Sequence, residues 1–297
     1  MGITLALASM LCFAANIMVS RSALARVPIE LGFLVVLVVN VLLGGALFGI
    51  DLLLRRAPFA IRWEQAGWFA LAGIVGTYLG RRMLYDTIRV LGPARSSVFH
   101  SSSPVFTLVA AWVLVGERLG GYELGLMALV ISGLWITQLG AGAATAHRPA
   151  GETLRRGALY GVLTVSGFGV GNAIRGLAMR GWNEPVFGTL LGASTALVAQ
   201  LATTRDLPRK LAGLRRADRA GLALYAASGV VTVLGQMFLL AAMRRMPIAL
   251  AALVSMTTPL VIFPLSLLAY RNREGLTRYS ALGAGMVLAG IALLALR

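Results

Sequence analysis

Apolar runs of about 18–23 residues, separated by short breaks carrying Arg, Pro or Gly, recur ten times along this chain. They fall near 2–20, 31–53, 67–88, 95–115, 121–141, 157–178, 186–203, 220–243, 248–269 and 278–296. A helix that crosses a bilayer needs ~20 such residues. In lipid only helices and closed barrels pair every backbone polar group, and barrel strands alternate over ~10 residues, a pattern absent here. With 58% hydrophobic and 13% charged residues, a soluble domain of 297 residues could not hide its apolar surface. The pattern predicts an all-α integral membrane protein with ten transmembrane helices. The first run is followed by Ser22-Ala-Leu-Ala25, which loosely resembles a cleavage site. No basic segment precedes it and a matching run recurs later, so it reads as the first transmembrane helix.

The formal net charge of +16 is almost wholly arginine, with Lys210 the only lysine. A basic balance can signal nucleic-acid binding, but these charges lie between and at the ends of apolar runs, where they suit loops facing headgroups. No nucleic-acid partner is expected. Cys12 is the only cysteine, which excludes internal disulfides. The only histidines are His100 and His147, and neither belongs to a metal-ligand cluster, so no metal or cofactor is expected.

Shifting the sequence by 155–157 residues lays its second half on its first. Gly2 falls on Gly157, Asn16 on Asn172, Thr77 on Thr232, Gly80 on Gly235 and Pro104 on Pro259; Glu117, Tyr122 and Gly133 fall on Glu274, Tyr279 and Gly290. The expected organisation is a first five-helix repeat over 1–143, a polar linker over 144–156 and a second repeat over 157–297. Five is odd, so consecutive copies must run in opposite senses through the membrane. Many secondary transporters use such an inverted repeat to alternate access around a midplane site. Small-xxx-small pairs at Gly76/Gly80, Gly121/Gly125, Gly157/Gly161, Gly167/Gly171 and Gly188/Gly192 offer close helix crossings.

Polar side chains within a membrane helix are costly, so each is a candidate for function. Stripes at helical spacing occur in the first helix (Ser9, Cys12, Asn16, Ser20) and the fourth (Ser96, His100, Ser103, Thr107, beside Pro104). Others occur in the sixth (Asn172, Arg175), the eighth (Ser228, Thr232, Gln236) and the ninth (Ser255, Thr258, beside Pro259). A mid-helix proline removes one backbone hydrogen bond and frees a carbonyl, tolerable where the helix lines a cavity. Arg82 stands four residues before Asp86 and can pair with it. Arg81 shares a face with Thr77 and Tyr85 and, like Arg175, has no acid within helical reach. Either arginine can snorkel to the headgroups or face a cavity, and both readings stay open. In a shared cavity Arg81, Arg175 and His100 would favour an anionic or zwitterionic ligand, because a guanidinium grips carboxylate or phosphate through paired hydrogen bonds. The substrate-cavity candidates are thus Asn16, Arg81, Tyr85, His100, Ser103, Asn172, Arg175, Gln236, Ser255 and Thr258, with helix breaks at Pro104 and Pro259. Glu117 and Glu274 sit at helix ends and read as structural.

The stretch from Leu91 through the serine run to Pro104, followed by Gly116-Glu117-Arg118, resembles the EamA-type unit of the drug/metabolite transporter superfamily. The second copy keeps Pro259 but reads Asn272-Arg-Glu-Gly275 at the closing turn. The resemblance covers nearly the whole chain. It implies a ten-helix inverted-repeat transporter with a central cavity shared by the halves, for solutes that in this superfamily include amino acids, sugars, nucleotide derivatives and drugs. Small multidrug members carry a first-helix glutamate where this chain has Asn16, which argues against cationic drugs. The resemblance also implies cytoplasmic termini, whereas the arginine-rich breaks at 144–156 and 204–219 place the termini outside by the positive-inside rule.

The expected function is a secondary transporter, in the exporting direction, of a small organic metabolite, anionic or amino-acid-like, in the cell (inner) membrane. Its expected partners are that small-molecule substrate and the lipid bilayer. A flippase for lipids or lipid-linked substrates is the alternative. An integral membrane enzyme is disfavoured by the lack of a nucleophile motif, a phosphate-cradling loop or a convergent catalytic set.

Overall fold

A computed structural model describes residues 1–55, 58–91, 96, 99–142, 151–262 and 278–295. The described residues are almost wholly helical and contain no strand. Helix α1 spans Gly2–Leu24 and α2 spans Ile29–Leu54. Helix α3 occupies 63–91 in three parts: α-helix at Trp63–Ala72, π-helical turns at Gly73–Gly80 and α-helix again at Arg81–Leu91. Next come α4 (Ser103–Val115), α5 (Gly121–Gly142), α6 (Gly151–Gly181) and α7 (Pro185–Thr203). A short α8 (Leu207–Arg216) precedes α9 (Arg219–Met243), α10 (Ile248–Ser255) and α11 (Arg278–Ala295).

Five of these, α1, α2, α6, α7 and α9, are long and apolar enough to cross a membrane, and four shorter apolar helices lie at Phe99–Val115, Gly121–Thr137, Ile248–Ile262 and Ala281–Leu294. Large apolar side chains on the outside, such as Leu42, Val113 and Val198, are two-thirds exposed and belong against lipid. Helix starts follow local chemistry. Proline opens α7 and α8, where a missing N–H costs nothing. Asp218 caps α9 by accepting from the amides of Ala220 and Gly221.

Three details differ from the sequence reading. Helix α6 begins at Gly151, six residues before the expected start, and 143–150 lie outside the described residues. The stretch 204–219, read as an arginine-rich polar break, contains α8. There Leu207, Leu211 and Leu214 recur at helical spacing, with Lys210 between them and Arg216 after them, a pattern that suits a helix lying in a membrane interface. The third helix carries eight π-helical residues that hydropathy could not reveal.

The halves interlock rather than stand side by side. Helix α1 packs on α9 and α6 on α3; α4 packs on α6 and α10 on α1; α7 packs on α3 and α2 on α9. Each of these pairs becomes its companion when α1–α5 are exchanged with α6, α7 and α9–α11. The remaining large interfaces, α2 with α7, α4 with α10 and α5 with α11, map onto themselves. The packing therefore carries the pseudo-twofold relation suggested by the internal repeat. Helix α10, whose eight residues are all buried, sits in the core with Ala6, Ala110, Ala111, Ala173 and Leu239 around it.

Glycine permits close crossings. A Cβ on Gly171 would stand 2.5 Å from Gly76 Cα, and one on Gly167 would stand 2.9 Å from Gly80 Cα. Two of the expected small-residue pairs thus face each other where α3 meets α6. Gly157 and Gly161 face Leu91 and Phe99, and Gly188 faces Phe69. Gly121 and Gly125 have nothing within 4 Å and make no such crossing. The glycine contact between α5 and α11 is instead Gly133 against Gly283.

Candidate functional site

The α3–α6 crossing carries the most concentrated polar chemistry. Arg175, only 7% exposed, points from α6 into the π-helical turns of α3. One terminal nitrogen donates to Asn172 Oδ1 at 3.0 Å; the other donates to Thr77 Oγ1 at 2.7 Å and to the Ala72 carbonyl at 3.4 Å. The side chain fits because Gly76 lies beneath it, with a Cβ there falling 3.0–3.1 Å from both guanidinium nitrogens. The turn just ahead of the π-helical segment supplies acceptors too: Thr195 Oγ1 of α7 donates to the Ala70 carbonyl at 3.0 Å. Arg175 does not snorkel. Its donors are directed to protein acceptors, so it clamps α6 onto α3.

Arg81 stands where the π turns end. Its guanidinium lies 5.7 Å from the centre of the Phe33 ring, and Tyr85 follows it by one helical turn. Phe33 and Tyr85 meet edge to face at 5.4 Å. His100 packs edge-on against Phe168 at 4.8 Å, and Phe168 lies over Gly80 beside Arg81. Arg81 follows Gly80, which meets Phe168, and lies little more than one turn beyond Gly76, which meets the Arg175 guanidinium. No carboxylate pairs with Arg81 among the described residues, and the buried Nδ1 of His100 and Oγ of Ser103 have no hydrogen-bond partner there. The tertiary structure thus brings Arg81, Tyr85, His100, Asn172 and Arg175 into one neighbourhood, with Ser103 one turn beyond His100 on α4.

The other candidates lie across the pseudo-twofold axis, between α1 and α9. Asn16 Oδ1 accepts from the hydroxyls of Ser20 and Ser228, and Ser9 donates to the Gly235 carbonyl at 2.8 Å. Gln236, next to that glycine, has a buried Nε2 without a partner. Ser255 donates to the Ala6 carbonyl at 3.4 Å, tying α10 to α1, and Thr258 is buried beside Pro259. The helix path turns at Ser102 ahead of Pro104, and at Met256 and Thr257 ahead of Pro259. Repeat-related Asn16 and Asn172 therefore do different work. Asn172 receives a guanidinium, whereas Asn16 receives two hydroxyls because Val19 stands where the second half has Arg175. The cationic character belongs to one side of the axis only.

Glu117 is structural, as its place at a helix end suggested, but the sequence did not show which helix it serves, nor a cavity at the α8 face. Glu117, 7% exposed, accepts from the amides of Ile248 and Ala249 at 3.0 and 3.2 Å and pairs with Arg180. The glycine-glutamate-arginine turn of the first half therefore caps a helix of the second half. Glu274, its repeat equivalent, lies outside the described residues. A cavity of about 560 Å³ also opens at the face that carries α8, between the start of α2 and the ends of α3 and α7. Phe33 and Tyr85 belong to its wall, so Arg81 lies just behind it. Arg82, expected to pair with Asp86, instead donates to Tyr78 Oη at 2.8 Å, and Asp86 lies 3.7 Å from Arg89. The leucine spacing of α8 was the one sequence signal for this face.

Interlocked membrane-length helices, built as two related halves with hydrogen-bonded polar groups buried between them, define a polytopic membrane protein of the transporter class. The EamA-like transporter family profile matches residues 1–139 and again 155–296, and the chain belongs to that family. Among solved structures, a crystal structure of a protein aligns with a TM-score of 0.76 over 99% of this chain and 98% of its own, at 17% sequence identity, which shows a shared fold. No curated protein matches the chain.

Proposed function

We propose that the chain is a secondary transporter that exports a small organic solute, anionic or amino-acid-like, across the cell's inner membrane. On this reading the chain has ten spans, arranged as two inverted repeats at 1–143 and 157–297 that rock about the α3–α6 and α1–α9 crossings. Arg81 carries the proposal. It is a guanidinium within the helix bundle with no carboxylate partner among the described residues, set behind an aromatic wall that borders a cavity. Arg175 is engaged with protein acceptors, so Arg81 is the cation left to receive a carboxylate or similar group. His100 and Ser103, each with an unpartnered buried polar atom, and Tyr85 are the neighbours able to complete the solute's hydrogen bonds. Asn16, Gln236, Ser255 and Thr258 form the opposite, uncharged wall, and the breaks at Pro104 and Pro259 let the fourth helix of each half bend as the site changes sides.

The test is thermal stabilisation of the purified protein by carboxylates, amino acids, phosphates and neutral solutes, with and without Arg81→Ala. A solute at 100 times its Kd should stabilise the fold by about 2.7 kcal/mol. Stabilisation by anionic or zwitterionic solutes that disappears in Arg81→Ala is the expected outcome, followed by flux of the same solute in proteoliposomes. Stabilisation by neutral or lipid-like compounds alone, unchanged by the substitution, overturns the reading.

A further inference from the structure

The cavity at the α8 face has a charge pattern of its own. Its wall carries four cations, Arg82, Arg89, Arg205 and Lys210, and two carboxylates, Glu30 and Asp86, a net charge of +2 (four less two). Both carboxylates are taken by one arginine: Arg89 pairs with Glu30 and lies 3.7 Å from Asp86. Arg82, Arg205 and Lys210 are left without a carboxylate partner among the described residues. Arg82 is held in place by Tyr78 and Thr203 through a single terminal nitrogen, which leaves the rest of its fork free.

The position of the cavity matters as much as its charge. It lies where α2 begins and α3 and α7 end, so on a membrane-spanning reading of these helices it stands at the level of the headgroups. Helix α8 borders it through Lys210 and is seated on α2, with Gly213 against Leu31. Leu211 on α8 is half exposed, as expected of a helix resting in the interface. Three cations line this concavity: Arg82 from α3, Arg205 from the turn after α7 and Lys210 from α8.

We infer that this cavity binds a phosphate group through Arg82, Arg205 and Lys210. A phosphate ester carries one to two negative charges and several acceptor oxygens, which suits two guanidiniums and an ammonium arriving from different directions. An anionic phospholipid headgroup and a soluble phosphate compound offer the same chemistry. The inference rests on the membrane placement of the helix ends; the cavity shares Phe33 and Tyr85 with the surroundings of Arg81, but Arg81 is not one of the three phosphate-binding cations.

The experiment uses the full chain purified in detergent and two probes: phosphatidylglycerol, followed by native mass spectrometry against phosphatidylcholine, and inorganic phosphate, followed by calorimetry. The variants are Arg82→Gln/Arg205→Gln/Lys210→Gln together, Lys210→Gln alone and Arg216→Gln, which removes a charge from α8 outside the cavity. Wild type and Arg216→Gln should retain a probe equally, and the triple variant should bind it at least roughly tenfold more weakly. Lys210→Gln changes only the interfacial helix and should show a partial loss even where the triple variant folds poorly. Selective retention of phosphatidylglycerol assigns the site to a lipid, and saturable binding of inorganic phosphate assigns it to a soluble ligand. Failure of wild type to bind either probe, or equal losses in Arg216→Gln and the triple variant, overturns the inference.

Discussion

At the scale of single residues, burial and partnership separate side chains that look alike in sequence. Glu117 and Glu123 are six residues apart, yet only Glu117 has its carboxylate sealed between the start of α10 and Arg180. Glu117→Ala removes an acceptor from two helix-start amides and strands Arg180, so it should cost roughly 3 kcal/mol of stability. Glu117→Gln keeps an acceptor for one amide and should cost less; thermal unfolding in detergent ranks the two. Asp218 offers a pH test at the other face. Its bond to Arg26, together with the α9 amides, holds its carboxyl below the usual range for aspartate. A lowered folded-state pKa means that the contribution of Asp218 is complete above the unfolded-state value and is lost as pH falls through the folded one. The protection factors of the Ala220 and Gly221 amides, that is, exchange relative to the intrinsic rate at each pH, should therefore be steady near neutral pH and fall below about pH 4, the ordinary aspartate range. Asp218→Asn should remove that dependence.

At the scale of elements, the same residue type has opposite consequences on different helices. Gly171→Ala puts a methyl group 2.5 Å from Gly76 Cα, inside backbone that cannot yield without separating α3 from α6. Overpacking of this kind should cost about 1–3 kcal/mol and disturb the Arg175 contacts with Thr77 and Ala72. Gly125→Ala meets open space and should be neutral or stabilising by roughly 0.5–1 kcal/mol, since alanine restricts the unfolded chain and favours helix. Unfolding midpoints of the two variants check both. Hydropathy made most of these elements legible, because lipid demands length and apolarity whatever the packing. It could not show the π turns at Gly73–Gly80, which depend on α6 and α7 supplying donors for displaced carbonyls. Helix α8 was missed for another reason: averaging its leucines with its basic residues hides an amphipathic helix inside what reads as a polar break.

For the whole molecule, most large helix interfaces join one half to the other, while neighbours such as α1 and α2, or α6 and α7, barely touch. Neither half can satisfy its polar faces alone, since two of the three acceptors of Arg175 lie on α3 and one of the two donors to Asn16 lies on α9. Expressed separately, 1–143 and 151–297 should fail to give a stable membrane protein. Co-expressed, they should associate and co-purify through an affinity tag on one half; stable, monodisperse single halves would contradict this. The sequence by itself determined that the chain is helical, membrane-embedded and internally repeated, because hydrophobic length and repeated spacing are local and periodic properties. It also singled out Asn16, Arg81, His100, Asn172 and Arg175, because strongly polar residues stand out within apolar runs. Only the tertiary structure decided that Arg175 is a clamp and Arg81 is not, that Arg82 turns from Asp86 to Tyr78, and that Glu117 caps the opposite half. The Arg82–Tyr78 bond stays within one helix, but the clamp and the cap rest on which partner a side chain meets across a helix crossing, and such partners lie about a hundred residues or more away along the chain.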